Sequence, residues 1–166
     1  MLQPPRGPTI RRVIAIAIAT SLWSAPALAE DDAKAFTCCK DSRITKIVEA
    51  YLGVHEALVE DPSDKRTRDA MKHLVPVLRD KSGLATPDRN AVAALAKLVD
   101  AARNKSASAI REAFDPISRQ VIFLALRHQG GNVTIAEAWC PRVGPWLQAD
   151  TEAIASPYGD TCGRWR

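Results

Sequence analysis

ITKIVEAYLGVHEALVE, residues 44–60, sets Ile44, Ile47, Val48, Tyr51, Leu52, His55, Leu58 and Val59 at three- and four-residue steps. That spacing returns each of these side chains to one stripe of an α-helix, so the stretch predicts a helix with one buried face and His55 on it. Asp61-Pro62-Ser63 ends the run. Working outward, a second helical stretch extends from about Lys65 to Leu78, with Ala70, Met71, Leu74 and Leu78 inward and Pro76 bending its last turn. A third starts at Thr86-Pro87-Asp88, a cap hydroxyl followed by a proline and an acid, and carries Val92, Leu95, Leu98, Val99 and Ala102. The fourth carries Ile110, Ala113, Phe114, Ile117, Val121, Leu124 and Ala125, is interrupted at Asp115-Pro116 and stops at Gly130-Gly131-Asn132. Short loops between four amphipathic helices predict an all-α fold, a single up-down-up-down four-helix bundle. From about residue 133 an irregular, cysteine-containing C-terminal cap follows, with a short strand at Val133–Trp139.

The first 29 residues stand apart from that domain. Arg6, Arg11 and Arg12 precede an apolar run beginning Val13–Ile18, and Ala27-Leu28-Ala29 is a small-x-small cleavage site. The order is that of a cleaved secretory signal peptide. Ser21, Ser24 and Pro26 interrupt the apolar run, which falls short of the roughly 20 residues a spanning helix needs. Residues 30–166 are therefore expected as one exported domain without a membrane span, in the periplasm of a bacterium or secreted. Cleavage removes three arginines and no acids, taking the formal charge from +4 to +1. A nucleic-acid partner loses its compositional support. Export also makes Cys38, Cys39, Cys140 and Cys162 candidates for oxidation.

Little in the chain resembles reaction machinery. His55-Glu56 begins like the zinc-protease helix motif, but its second histidine would fall at Val59. There is no Gly-rich phosphate loop, no nucleophile elbow and no CxxC, and His73 and His128 are isolated. The expectation is a protein that is not an enzyme. The four cysteines with His55 make a soft donor set that suits Cu(I) or a similar ion. The same cysteines are disulfide partners if oxidised. The segment AWCPRVGPWLQADTEAIASPYGDTCG, residues 138–163, adds Trp139, Trp146 and Tyr158 as a candidate interaction surface.

Several separated motifs carry a family resemblance. Tyr51-Leu52-Gly53-Val54-His55-Glu56-Ala57-Leu58-Val59-Glu60-Asp61 is followed in order by Arg111-Glu112-Ala113-Phe114 with Ile117-Ser118, Cys140-Pro141, Trp146-Leu147-Gln148, Ile154, Pro157-Tyr158-Gly159 and Cys162-Gly163. From about Ile44 to Gly163 the chain resembles the bacterial domain-of-unknown-function family numbered 3347. Its members are exported helical domains, alone or fused to periplasmic adaptor subunits of heavy-metal efflux systems. The resemblance implies a soft-metal site and copper as its ion, with Cys140 and Cys162 as ligands. It also implies an efflux adaptor or another envelope protein as partner. Arg142, Ser156 and Asp160-Thr161 stand where the family pattern has Met, Asn and a second Met, so the thioether ligands are missing here. Cys38-Cys39 lie outside the family pattern.

Two functions follow. One is a periplasmic, non-enzymatic accessory protein that binds copper or a similar soft metal beside a heavy-metal efflux system. The other is a metal-free, disulfide-stapled interaction module of the cell envelope. For the oxidised protein, a bond between neighbouring residues is disfavoured, because consecutive Cα atoms are about 3.8 Å apart and a relaxed disulfide spans about 4.4–6.8 Å. Cys38 and Cys39 are thus each expected to take a partner from Cys140 and Cys162, clamping the cap onto the entrance of the first helix. A single Cys140–Cys162 bond is the competing arrangement. The leader predicts that the exported form begins at Glu30, which N-terminal sequencing checks; a membrane fraction retaining the leader would reject it.

Overall fold

The computed structural model describes residues 35–166 apart from 61–62, 150–152 and 160–161. The expected leader, Asp61-Pro62 and Asp160-Thr161 lie outside the described residues. Four helices form where the apolar periodicity puts them: α1 (Ser42–Glu60), α2 (Asp64–Val77), α3 (Thr86–Ala102) and α4 (Ala107–Arg127). Side-chain hydroxyls cap two of them. Ser63 accepts from the Arg66 amide at 3.4 Å and Ser106 from the Ala109 amide at 3.3 Å, each supplying an acceptor for an otherwise orphaned first-turn N–H. Pro76 and Pro116 both lie inside their helices, so α4 continues through the interruption expected at Asp115-Pro116.

The stripe of α1 is rotated slightly from the expected one. Val54 and Ala57 are buried with Ile44, Ile47, Val48, Tyr51, His55 and Leu58. Val59 is 36% exposed and Leu52 only partly buried. At 3.6 residues per turn, both point to the same border of the buried arc, roughly 60–80° from Ile44, where the packing ends.

The all-α expectation is wrong. Residues placed in an irregular cap build a four-stranded antiparallel sheet from β1 (Phe36–Cys38), β2 (Val133–Cys140), β3 (Gly144–Gln148) and β4 (Arg164–Trp165). β2 is its spine. It pairs with β1 from Cys38↔Val133 to Phe36↔Ile135, with β3 from Cys140↔Gly144 to Ala136↔Gln148, and with β4 at Ala138↔Trp165 and Trp139↔Arg164. Punctuating residues conceal this from the sequence. The tight β2–β3 connection is Pro141-Arg142-Val143, and β3 itself opens on Gly144-Pro145. Gly144 has φ +98° and sits against the Asp115 carboxylate of α4, which any side chain there would strike.

The sheet is part of the core. α1 packs on α2 and α3 on α4, while β3 lies against α4 and α1. Ile135, Ala138, Cys140, Trp146 and Leu147 join the helical residues in one continuous hydrophobic cluster, and Trp146 is fully buried. Each such large apolar side chain contributes roughly 1.5–3 kcal/mol. The hydroxyl of Tyr51 ties the layers together: it lies 2.8 Å from Ser118 Oγ on α4 and accepts the Leu147 amide of β3 at 3.2 Å. Tyr51→Phe strands that buried amide, so urea unfolding should show a loss of about 1–3 kcal/mol. Unchanged stability would mean that the hydroxyl does not join helix to sheet.

Candidate functional site

The residues that carry the family resemblance converge in space. Beside the Tyr51 hydroxyl, the Trp146 indole N–H donates to Gln148 Oε1 at 3.1 Å. The same oxygen accepts the Ala155 amide at 3.1 Å, and Gln148 Nε2 donates to the Ala153 carbonyl at 2.6 Å. His55 Nε2 lies 2.8 Å from the Ala155 carbonyl, which can only accept, so the proton sits on Nε2. Arg111 donates from Nε to the Pro157 carbonyl at 2.9 Å and from its terminal amino group to the Leu58 carbonyl at 3.0 Å. Tyr51 and Phe114 stack with centroids 5.1 Å apart, and Tyr158 meets Phe114 and Trp146 edge-on at 6.3 and 6.1 Å. Side chains from α1, α4 and β3 thus hydrogen-bond the backbone of residues 153–157, which forms no strand or helix of its own.

Burial disfavours the charged forms of the two titratable rings in this knot. Burial pushes the Tyr51 phenol well above its usual range, against the opposing pull of its hydrogen bonds. Burial lowers the His55 pKa below its ordinary value, and the Ala155 carbonyl only partly offsets that. The arrangement fastens a loop. Its polar groups are taken up in that fastening, and it presents no nucleophile paired with a base.

The expected soft donors are not gathered. Cys38 and Cys39 are bonded to each other, and Cys140 is bonded to Cys162 with Cα atoms 5.6 Å apart. The clamp pairing of Cys38 and Cys39 with Cys140 and Cys162 is therefore incorrect, and the sheet register gives the reason. Cys38 lies opposite Val133 at one end of β2 and Cys140 occupies the other, seven residues away. At about 3.3 Å per residue that separates the two pairs by roughly 23 Å. The five donors Cys38, Cys39, Cys140, Cys162 and His55 do not fit a single metal centre, and His55 Nε2 is already engaged by Ala155. Among the described residues no group of three or more His, Cys, Asp or Glu side chains could hold an ion.

The three aromatic residues expected on an interaction surface also part company. Trp146 is fully buried, so it is removed from that surface: it lies opposite Ala138 in a strand whose residues 145–148 are all buried under the helices. Tyr158 is half-buried in the aromatic knot. Trp139, one residue along β2 from Ala138, faces the other way and is half-buried under the Arg164 guanidinium, 4.6 Å from the ring centroid. Trp165, Arg164 and Arg166 complete a cleft of about 420 Å³ around it. Sequence periodicity missed these three because β4 has only two residues.

A second buried charge was also missed. Asp88 of α3 is 3% exposed and bonds Arg127 at 2.7 Å and His128 at 3.2 Å, joining the start of α3 to the end of α4. Burial raises its pKa, but the two basic partners outweigh that and the net shift is downward. Its acid-after-proline position in the third stretch reads equally well as an ordinary first-turn charge, which hides the pairing.

No protein-family model, curated protein or solved structure matches the chain. No described helix is long and apolar enough to cross a membrane.

His55 gives a pH test. With its folded pKa below the unfolded value, the unfolded chain takes up the proton first, so stability falls as pH drops below about 6.5 and levels off under the depressed folded pKa. Thermal midpoints between pH 7.5 and 5 should decline, and less steeply in His55→Gln, whose amide keeps a donor for Ala155. Parallel declines would remove His55 as the cause.

Proposed function

We propose that the protein is a non-catalytic, disulfide-stapled interaction module of the bacterial cell envelope. The observation that carries this reading is the disposition of the cysteines: both pairs are closed, at opposite ends of β2, with buried sulfur-bearing residues Cys38, Cys39 and Cys140. Closed bonds of this kind suit an oxidising compartment outside the cytoplasm, in keeping with the leader-like first 29 residues. The aromatic and polar constellation is spent on internal fastening, which leaves surface recognition as the work open to the domain. An envelope protein, such as the adaptor of a heavy-metal efflux system implied by the resemblance, is the class of partner.

A soft-metal role is supported by one specific feature, the adjacency of Cys38 and Cys39. Reduction of that pair alone would give two neighbouring thiolates, the kind of ligand Cu(I) accepts. It is a narrower version of the metal reading, without Cys140, Cys162 or His55.

Two measurements decide between them. Photo-crosslinking side chains introduced at surface positions of the exported protein should give adducts with an envelope protein, and no adduct from any face would defeat the module reading. Cu(I) titration against a competing chelator should show no uptake by the oxidised protein. Uptake after mild reduction that is abolished by Cys38→Ser, Cys39→Ser would favour the metal role. In the double variant Cys140→Ser, Cys162→Ser we expect a stability loss of about 3 kcal/mol, the chain-entropy value for the 22-residue separation that the bond closes.

A further inference from the structure

We propose that the β4 border of the sheet is a docking strip for an acidic, extended segment of a partner protein. This rests on the interaction-module reading and gives it a place and a chemistry. Residues 138 and 139 of β2 face β3 on one side and β4 on the other, so β4 lies on an outer border of the sheet. Among the described residues β4 pairs with no strand but β2. Backbone groups alternate along an antiparallel strand, so with Arg166 turned to β2 it is Trp165 whose N–H and C=O face outward as a template for one more strand. Arg166 extends the pairing, donating its amide to the Glu137 carbonyl at 3.0 Å.

The side chains around this template set the occupant. Trp139 and Trp165 are half-buried, with Arg164 and Arg166 exposed beside them. Arg166 already has an acid, Glu137, at 3.2 Å. Arg164 has none among the described residues: its guanidinium rests on the Trp139 ring and its hydrogen-bonding edge is open. A guanidinium held flat on an indole is positioned to bond a carboxylate in bidentate fashion, and tryptophan and arginine are the side chains that most often dominate protein interfaces. The strip therefore combines strand pairing, which wants an extended backbone, with an unpaired cation, which wants an acid. A partner segment alternating acidic and apolar residues would meet both, laying carboxylates toward Arg164 and apolar groups toward Trp165.

The Cys140–Cys162 bond then has a use at this site. Cys140 follows Trp139 directly, and Cys162 precedes Arg164 by two residues. The bond pins the incoming chain to β2 just before β4 begins. Between them Gly163 passes so close to Ile154 and Trp146 that an added Cβ would come within 2.6 and 3.1 Å of their side chains. The strip is held in shape before any partner arrives, which lowers the ordering cost of binding. Reduction should release it.

The test uses the purified oxidised protein and three probes: a synthetic peptide alternating Glu and Val, its Gln–Val counterpart, and a single-stranded oligonucleotide. Binding is followed by tryptophan fluorescence and by hydrogen exchange of the outward Trp165 amide. The Glu–Val peptide should bind, slow exchange at the Trp165 amide and weaken with added salt. Arg164→Glu should lower its affinity by about tenfold or more, and Arg164→Lys by less, with near-ultraviolet circular dichroism unchanged in both. Reduction of Cys140–Cys162 should weaken binding too. No binding of the Glu–Val peptide, equal binding of the Gln–Val peptide, preference for the oligonucleotide, or indifference to Arg164→Glu would each overturn the proposal. A photo-crosslinker at position 165 separates this from the broader reading. Adducts from other faces but not from 165 would sink the strip and leave the module standing.

Discussion

The Tyr51 hydroxyl is the constraint around which the rest is arranged. It is a polar group on the inward stripe of α1, fully buried, and so it must be satisfied or the helix cannot pack there. Ser118 of α4 and the Leu147 amide of β3 satisfy it from two directions. One oxygen therefore fixes the spacing of two helices and the height of a strand above them. Placing the Leu147 amide on Tyr51 also fixes the register in which both Trp146 and Leu147 enter the core. A one-residue slip of β3 would take the Leu147 amide off Tyr51 and displace both Trp146 and Leu147, which are fully buried.

Fastening the loop after β3 follows from that placement. Buried Trp146 needs an acceptor for its indole N–H, and Gln148, two residues on, supplies one. Gln148 has a second lone pair and an amide to satisfy, and Ala155 provides the donor and Ala153 the acceptor. His55 and Arg111 then take the carbonyls of Ala155 and Pro157. The sequence of obligations runs from one buried phenol to the whole cap. It explains why His55 and Arg111, which look like candidates for chemistry, are occupied in holding backbone.

The helices were legible because their evidence is repeated: each stripe has four or more apolar residues at one period, and a single misfit such as Val59 shifts the arc without hiding it. The sheet was illegible for the opposite reason. β1 has three residues and β4 two, too few for alternation to register, and β3 begins with Gly144-Pro145, which reads as a turn. β2 alone is long enough, and only its span was anticipated. The disulfide pattern failed as a consequence of that miss. Judged on sequence, the four cysteines were free to meet; once β2 is a strand, its length keeps the two ends apart. The aromatic residues of the site divided in the same way. Whether a tryptophan faces core or solvent is a question of strand parity, which composition does not record.

That division has a bearing on how function can evolve on this scaffold. Residues of the knot are coupled through shared acceptors, so replacing one strands another, and the cost of change is high. The β4 border is not coupled in this way: the Arg164 side chain is exposed and rests on the face of the Trp139 ring. Substitutions there alter charge and shape at little cost to folding. The Cys140–Cys162 bond lies between these two regimes, one half buried in the sheet and the other at the start of the exposed strip. It lets an adaptable edge be carried rigidly by a core that tolerates little change.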